Sequence, residues 1–176
     1  MFFATPNTPA LPADSAAATP SSQPSELAVA NALAPSPPAI AELGLVYIIE
    51  NDAVSSVITE LIVKKNLFAR DVRCYANGQW AFDELLLTLR EGGTLPDLIV
   101  LDLDMPLMDG WEFLDALANL SSAQATRVFV QTSSIHPDDQ IKALSYKQVA
   151  GFFSKPLKEA GIACMRSLLP QARPAA

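Results

Sequence analysis

Pro96-Asp-Leu-Ile-Val-Leu-Asp-Leu-Asp-Met-Pro-Leu-Met-Asp-Gly110 is the stretch around which the chain is organised. Pro96-Asp97 is a turn signal, and Leu98 to Leu101 is a short apolar run of the kind that forms a strand buried on both faces. The strand stops at Asp102, and Pro106 and Asp109-Gly110 mark a loop. Open α/β sheets place their chemistry at the carboxyl ends of buried parallel strands. Asp102 is therefore the first residue to explain.

The same alternation extends to both sides. Leu45 to Ile49 reads as a buried strand closed by the polar cluster Glu50-Asn51-Asp52. From Ala53 to about Asn66, Val54, Val57, Ile58, Leu61 and Ile62 form a helical stripe. Asp71 to Tyr75 is a second strand and Asn77-Gly78 a turn. Gln79 to Arg90 is a helix carrying Trp80, Phe82, Leu85, Leu86 and Leu89, stopped by Gly92-Gly93. After the third strand, Asp97 to Leu101, a helix is expected from Gly110 to Leu120 on Trp111, Phe113, Leu114 and Leu117. Arg127 to Gln131 is the fourth strand, and Pro137 opens a helix to Lys147. Val149 to Phe153 is the fifth strand, and Leu157 to Leu169 the last helix. Five strands alternating with five helices require right-handed crossovers and a doubly wound parallel sheet of the α/β class.

Residues 1 to 42 have a different texture. They are rich in Pro, Ala and Ser, with too few large apolar side chains to offset the entropy of ordering them. Within them only Ser25 to Ala34 offers a short helix, with Ser25 as N-cap. The expected organisation is a disordered segment over 1–42, one domain over 43–170 and a short tail over 171–176. The net charge of −7 argues against a nucleic-acid partner. No apolar run is long enough to span a bilayer, and no basic residue precedes Lys64, as a secretory signal would need. Cys74 and Cys164 have no metal spacing and read as reduced core thiols of a cytoplasmic protein.

Four of the five strands run into polar residues: Glu50, Asn51 and Asp52 after the first, Asp102 and Asp104 after the third, Thr132 and Ser133 after the fourth, Lys155 after the fifth. In a parallel sheet these ends share one edge, so the residues converge. A carboxylate cluster without His or Cys suits a hard, oxygen-loving cation such as Mg2+. A hydroxyl and an ammonium around the same point suit a phosphoryl group. Asp102 could serve as metal ligand and as nucleophile.

In these residues the chain resembles the receiver domain of bacterial two-component response regulators, across nearly all of Leu43 to Leu169. The resemblance rests on the acidic cluster after Tyr47-Ile-Ile49, on Leu101-Asp102 through Asp109-Gly110, on Val130-Gln-Thr-Ser-Ser134 and on Gly151-Phe-Phe-Ser-Lys-Pro156. It implies a flavodoxin-like (βα)5 fold with strand order 2-1-3-4-5. It implies that Asp102 accepts a phosphoryl group from a sensor histidine kinase or a histidine phosphotransfer protein. Glu50, Asn51, Asp102 and the backbone carbonyl of Asp104 would hold Mg2+. Thr132 would supply a hydroxyl to the phosphoryl group, Ser133 the small neighbour, and Lys155 the charge partner. The Lys155-Pro156 bond would be cis, and Phe152 would be the aromatic that turns inward when Thr132 moves. The partners implied are that phosphodonor and a downstream protein, with a homodimer compatible, on a stand-alone signalling domain that is not an enzyme.

One position departs from the family pattern. Two consecutive acids usually come after the first strand, and here the pair reads Glu50-Asn51. Asn51 offers a neutral oxygen, so metal affinity should fall, and Asp52 could compensate only if the loop shifts. A degenerate receiver acting as a phosphorylation-independent binding module is the competing reading. Asp102-Leu-Asp104-Met also resembles the opening signature of haloacid-dehalogenase-like phosphohydrolases, but no acidic pair follows Lys155. Each residue has a plainer reading too. Thr132 could cap the next loop, Phe152 could be core, His136 before Pro137 suits turn chemistry, and Trp80 and Trp111 fit core stripes.

Overall fold

Leu98–Leu101 forms β3, the central strand of a five-stranded parallel sheet, and all four of its side chains are buried. Leu98 and Val100 point into one apolar layer, Ile99 and Leu101 into the other. The computed structural model describes residues 43–66, 69–134 and 136–168. The low-complexity segment over 1–42, its expected helix at Ser25 to Ala34 and the C-terminal tail lie outside them.

The elements in order are β1 (Leu43–Ile49), α1 (Ala53–Lys65), β2 (Ala69–Tyr75), α2 (Gly78–Arg90), β3, α3 (Gly110–Ala118), a 3-10 turn (Ser121–Ala123), β4 (Arg127–Thr132), α4 (Pro137–Leu144), β5 (Val149–Ser154) and α5 (Glu159–Leu168). The strand order is β2-β1-β3-β4-β5, every pair parallel. This is the doubly wound, flavodoxin-like α/β fold, and its order reverses between β1 and β3. Tyr47, Ile49, Ile99, Leu101, Val128 and Val130 pack under α2, α3 and α4; Val46, Ile48, Leu98, Val100 and Phe129 pack under α1 and α5. Among the described residues no helix is long and apolar enough to cross a membrane.

Side chains at the helix starts fix how the chain turns back from the sheet. Asp52 caps α1 by accepting from Ser55 N–H at 2.7 Å, and Asn77 caps α2 by accepting from Trp80 N–H at 2.9 Å. Asn77-Gly78 is thus a helix start, not a separate turn. Gly78 is needed there because a Cβ would lie 2.8 Å from the Met108 carbonyl oxygen. At α3, Asp109 and Glu112 form a reciprocal capping box.

Several helix faces and ends differ from the sequence reading. In α1 the buried residues are Ser56, Thr59 and Val63, while Val54, Val57, Ile58 and Leu61 face outward. The helix carries apolar residues on both faces, so periodicity located a stripe without saying which side was inside. Trp80 is 58% exposed rather than core, because Ala81 and Leu85 carry the inward face of α2. Trp111 is partly buried, as a core stripe requires, with Lys142 Nζ 3.9 Å from its ring centre. Cys74 and Cys164 are unpaired but exposed, not core thiols. Cys74 lies on the α1 side of the edge strand β2, beside Ser56, and Cys164 on the outward face of α5. Helix α4 ends at Leu144, where the Ser145 hydroxyl donates to the Lys142 carbonyl at 2.6 Å. Helix α5 begins only at Glu159, since Leu157 is buried as part of the preceding turn.

Candidate phosphoryl and metal site

The parallel ladder itself delivers the polar residues to one edge. Glu50 N–H donates to Tyr75 O, Asp102 N–H to Ile49 O and Lys155 N–H to Thr132 O, at 2.9, 2.9 and 3.0 Å. Each residue stands one step past the carboxyl end of its strand. The site therefore lies at the reversal of strand order, between β1 and β3, where the crossovers diverge and leave a crevice.

Three side chains make its centre. Lys155 Nζ lies 2.7 Å from Asp102 Oδ2 and 2.5 Å from Glu50 Oε2, with both carboxylates buried. Asp102 Oδ1 accepts the N–H of Leu103 at 2.8 Å, and Glu50 Oε1 that of Asp52 at 3.0 Å. Burial pushes the Glu50 carboxyl above its usual range, with Asp102 adding to the effect; the bonds to Lys155 and Asp52 offset only part of it. For Lys155, burial alone would lower the ammonium's pKa. Its hydrogen bonds to Asp102 and Glu50 outweigh that and hold it above the ordinary lysine value.

Thr132 is fully buried at the end of β4. Its hydroxyl oxygen accepts the N–H of Ser134 at 3.2 Å, so it does close the following loop in this state. Ser134 Oγ donates in turn to Asp139 Oδ2 in the first turn of α4 and accepts from His136 N–H at 3.3 Å. The sequence reading passed over Ser134 and Asp139. Hydroxyls spaced ahead of His-Pro-Asp-Asp were the available signal, since such residues knit turns to helix starts. Ser133 is exposed beside Thr132, and His136 stands at the start of α4 without capping it through its side chain. Phe152 is half-buried on β5 against the layer that holds Val130. The Lys155-Pro156 peptide bond is cis.

The remaining expected residues separate into two groups. Asn51 and Asp104 are exposed at the mouth of the site. Asp52 has its carboxylate on the N-terminus of α1, which holds its pKa below the usual carboxylate range, chiefly through the bond from Ser55. It is a helix cap and points to Ser55 rather than to Asp102.

The donor set fits a hard cation. Glu50 and Asp102 are two buried carboxylates sharing one ammonium, and Asn51 and Asp104 at the mouth can add oxygen donors. Among the described residues no three His, Cys, Asp or Glu side chains gather closely enough to hold a metal by themselves. Mg2+ is commonly held by one or two carboxylates, with backbone and water completing the shell.

Comparison with known proteins identifies the family of the chain. The response regulator receiver domain model matches residues 46–165. A probable methanogenesis regulatory protein, FilR2 of Methanothrix harundinacea, is 27% identical over 64% of this chain and 72% of its own length. Among solved structures, a two component response regulator from Cytophaga hutchinsonii superposes with a TM-score of 0.67 at 23% identity, covering 72% of this chain and 96% of that one. The chemotaxis response regulator CheY4 of Vibrio cholerae gives 0.59 at 18% identity, over 72% and 99%. These two likenesses are of fold; the family match spans most of the folded residues. With Asp102, Thr132 and Lys155 each at the end of its own strand, the chain belongs to the response regulator receiver domain family.

Proposed function

We propose that the protein is a phospho-acceptor of a two-component relay, taking a phosphoryl group on Asp102 from a phosphohistidine of a sensor kinase or phosphotransfer protein and signalling through protein contacts. The observation that carries this reading is the buried Lys155 bridge between Asp102 and Glu50, with the Thr132 hydroxyl one strand away.

In the proposed step a carboxylate oxygen of Asp102 attacks phosphorus. The P–N bond of the donor breaks, and its electron pair stays on the imidazole nitrogen, which takes up a proton. Lys155 balances charge on the acceptor side. Thr132 exchanges its present role as acceptor from Ser134 for a hydrogen bond donated to the new phosphoryl group. Glu50, Asp102, Asn51 and the Asp104 carbonyl would hold Mg2+, which when bound supplies the positive charge that two carboxylates and a phosphoryl group require. The added dianion then biases the β4–α4 loop, with Phe152 following Thr132, and α4, β5 and α5 form the face that reports the state.

Asn51 favours a second reading, a binding module that works without phosphate. It brings no charge, and Asp52 is committed to capping α1, so the metal site has two carboxylates and no reserve. Borohydride trapping separates the two. Reduction of an acyl phosphate leaves homoserine at position 102, located by peptide mass. An unmodified Asp102 after exposure to phosphodonor and saturating Mg2+ would sink the phospho-acceptor reading. Turnover of a small phosphoester is not expected and would point instead to a phosphohydrolase.

A further inference from the structure

Among the described residues nothing covers the outward face of α1, which is an apolar stripe. Val54, Val57, Ile58 and Leu61 are 67%, 52%, 38% and 62% exposed, one above another on the side opposite the buried Ser56, Thr59 and Val63. Single exposed aliphatics are ordinary, but four contiguous ones on one helix face mark an interaction surface.

The stripe is self-complementary. Its four residues fall symmetrically about the midpoint between Val57 and Ile58. Two copies of α1 laid antiparallel would place Val54 of one against Leu61 of the other, and Val57 against Ile58. The ends match in charge as well. Asp52 caps the amino end, and Lys65 stands at the carboxyl end, 73% exposed although it also donates to Glu159 at 2.6 Å. An ammonium carries three donors, so Lys65 can serve Glu159 and an acid of a second molecule together. Antiparallel pairing also sets each helix dipole against the opposite end of the other. A parallel arrangement would bring like ends together.

We infer that α1 is a two-fold interface for a second copy of this chain, built on antiparallel α1 helices with the dyad between Val57 and Ile58. One helix face is smaller than the roughly 800 Å2 per partner of a standard interface, so association at about 10–100 μM is expected. The inference does not depend on Asp102 being phosphorylated.

Sedimentation equilibrium of the full chain from about 5 μM to about 500 μM spans that range. The weight-average mass should rise from monomer towards twice that value in the wild type. It should stay at monomer in Val57→Asp and in Leu61→Asp, two exposed positions whose folding is checked by circular dichroism. In a Cys74→Ser, Cys164→Ser background, Ile58→Cys should give a disulfide-linked dimer under mild oxidation. Val54→Cys should not, since its two copies would stand about 10 Å apart along the axis. A monomer at every concentration overturns the proposal and leaves the face to a different protein. A dimer that survives both aspartates, or that cross-links through residue 54 and not 58, overturns it equally.

Discussion

One ammonium, Lys155, serves two buried carboxylates, and the response of the site to pH, metal and substitution is governed by that ratio. Replacing Lys155 by Met leaves Glu50 and Asp102 buried beside each other without a counter-charge. The expected cost is about 2 kcal/mol of unfolding free energy in urea titration. Adding Asp102→Asn should recover part of it, because one of the two charges is then gone. Glu50 is the residue to watch with pH. Its folded pKa is raised, so its contribution to stability is present below the unfolded value of 4.5 and lost as pH rises through the folded one. Above its folded pKa the ionised carboxylate therefore opposes folding of the metal-free protein. Glu50→Gln should raise the Tm by about 2–4 °C without metal, and the stabilisation that Mg2+ brings to the wild type should vanish. That stabilisation should also weaken in the wild type as pH falls into the raised titration range of Glu50. Equal Mg2+ stabilisation of wild type and Glu50→Gln would remove Glu50 from the metal site.

At the scale of elements, the loop from β3 to α3 carries Asp102 and is held from both ends. The capping box of Asp109 and Glu112 fixes where α3 begins, and Asp109→Ala should cost about 1 kcal/mol. Gly110→Ala should cost more and abolish labelling of Asp102. A Cβ at residue 110 would strike the Asp102 carbonyl oxygen and come within 2.7 Å of Leu103 Cα, both of them backbone. This loop was legible in the sequence because its signals are local: a buried apolar run, a proline, and an Asp-Gly start. The four strand ends that converge on the site were legible for the same reason. The outward turn of α1 and the exposure of Trp80 were not. Which of two apolar faces packs inward depends on what the sheet presents. Beneath α1 the sheet presents Gln131, which accepts from the buried Thr59 hydroxyl at 3.2 Å. No window of α1 alone contains that partner, 72 residues away. The Ser134–Asp139 bond was missed differently: its residues were in view, but turn chemistry fixes a loop's shape without announcing which hydroxyl points where.

Across the whole molecule, the reversal of strand order between β1 and β3 brings acid, hydroxyl and ammonium from β1, β3, β4 and β5 to one edge. The chain from Thr132 through Ser134 to Asp139 leads away from that edge into α4. If Thr132 turns to a phosphoryl group as proposed, it would release Ser134, so residues 133–154 should change in amide hydrogen exchange while β1 and β3 keep their protection. A uniform change, or none, would detach α4 from the switch. The central claim is that Asp102 is chemically competent, and intact mass after incubation with acetyl phosphate and Mg2+ tests it most directly. The expected result is a single phosphate adduct that requires Mg2+ and disappears in Asp102→Asn. An adduct that persists in Asp102→Asn, or none in the wild type at saturating Mg2+, would contradict it.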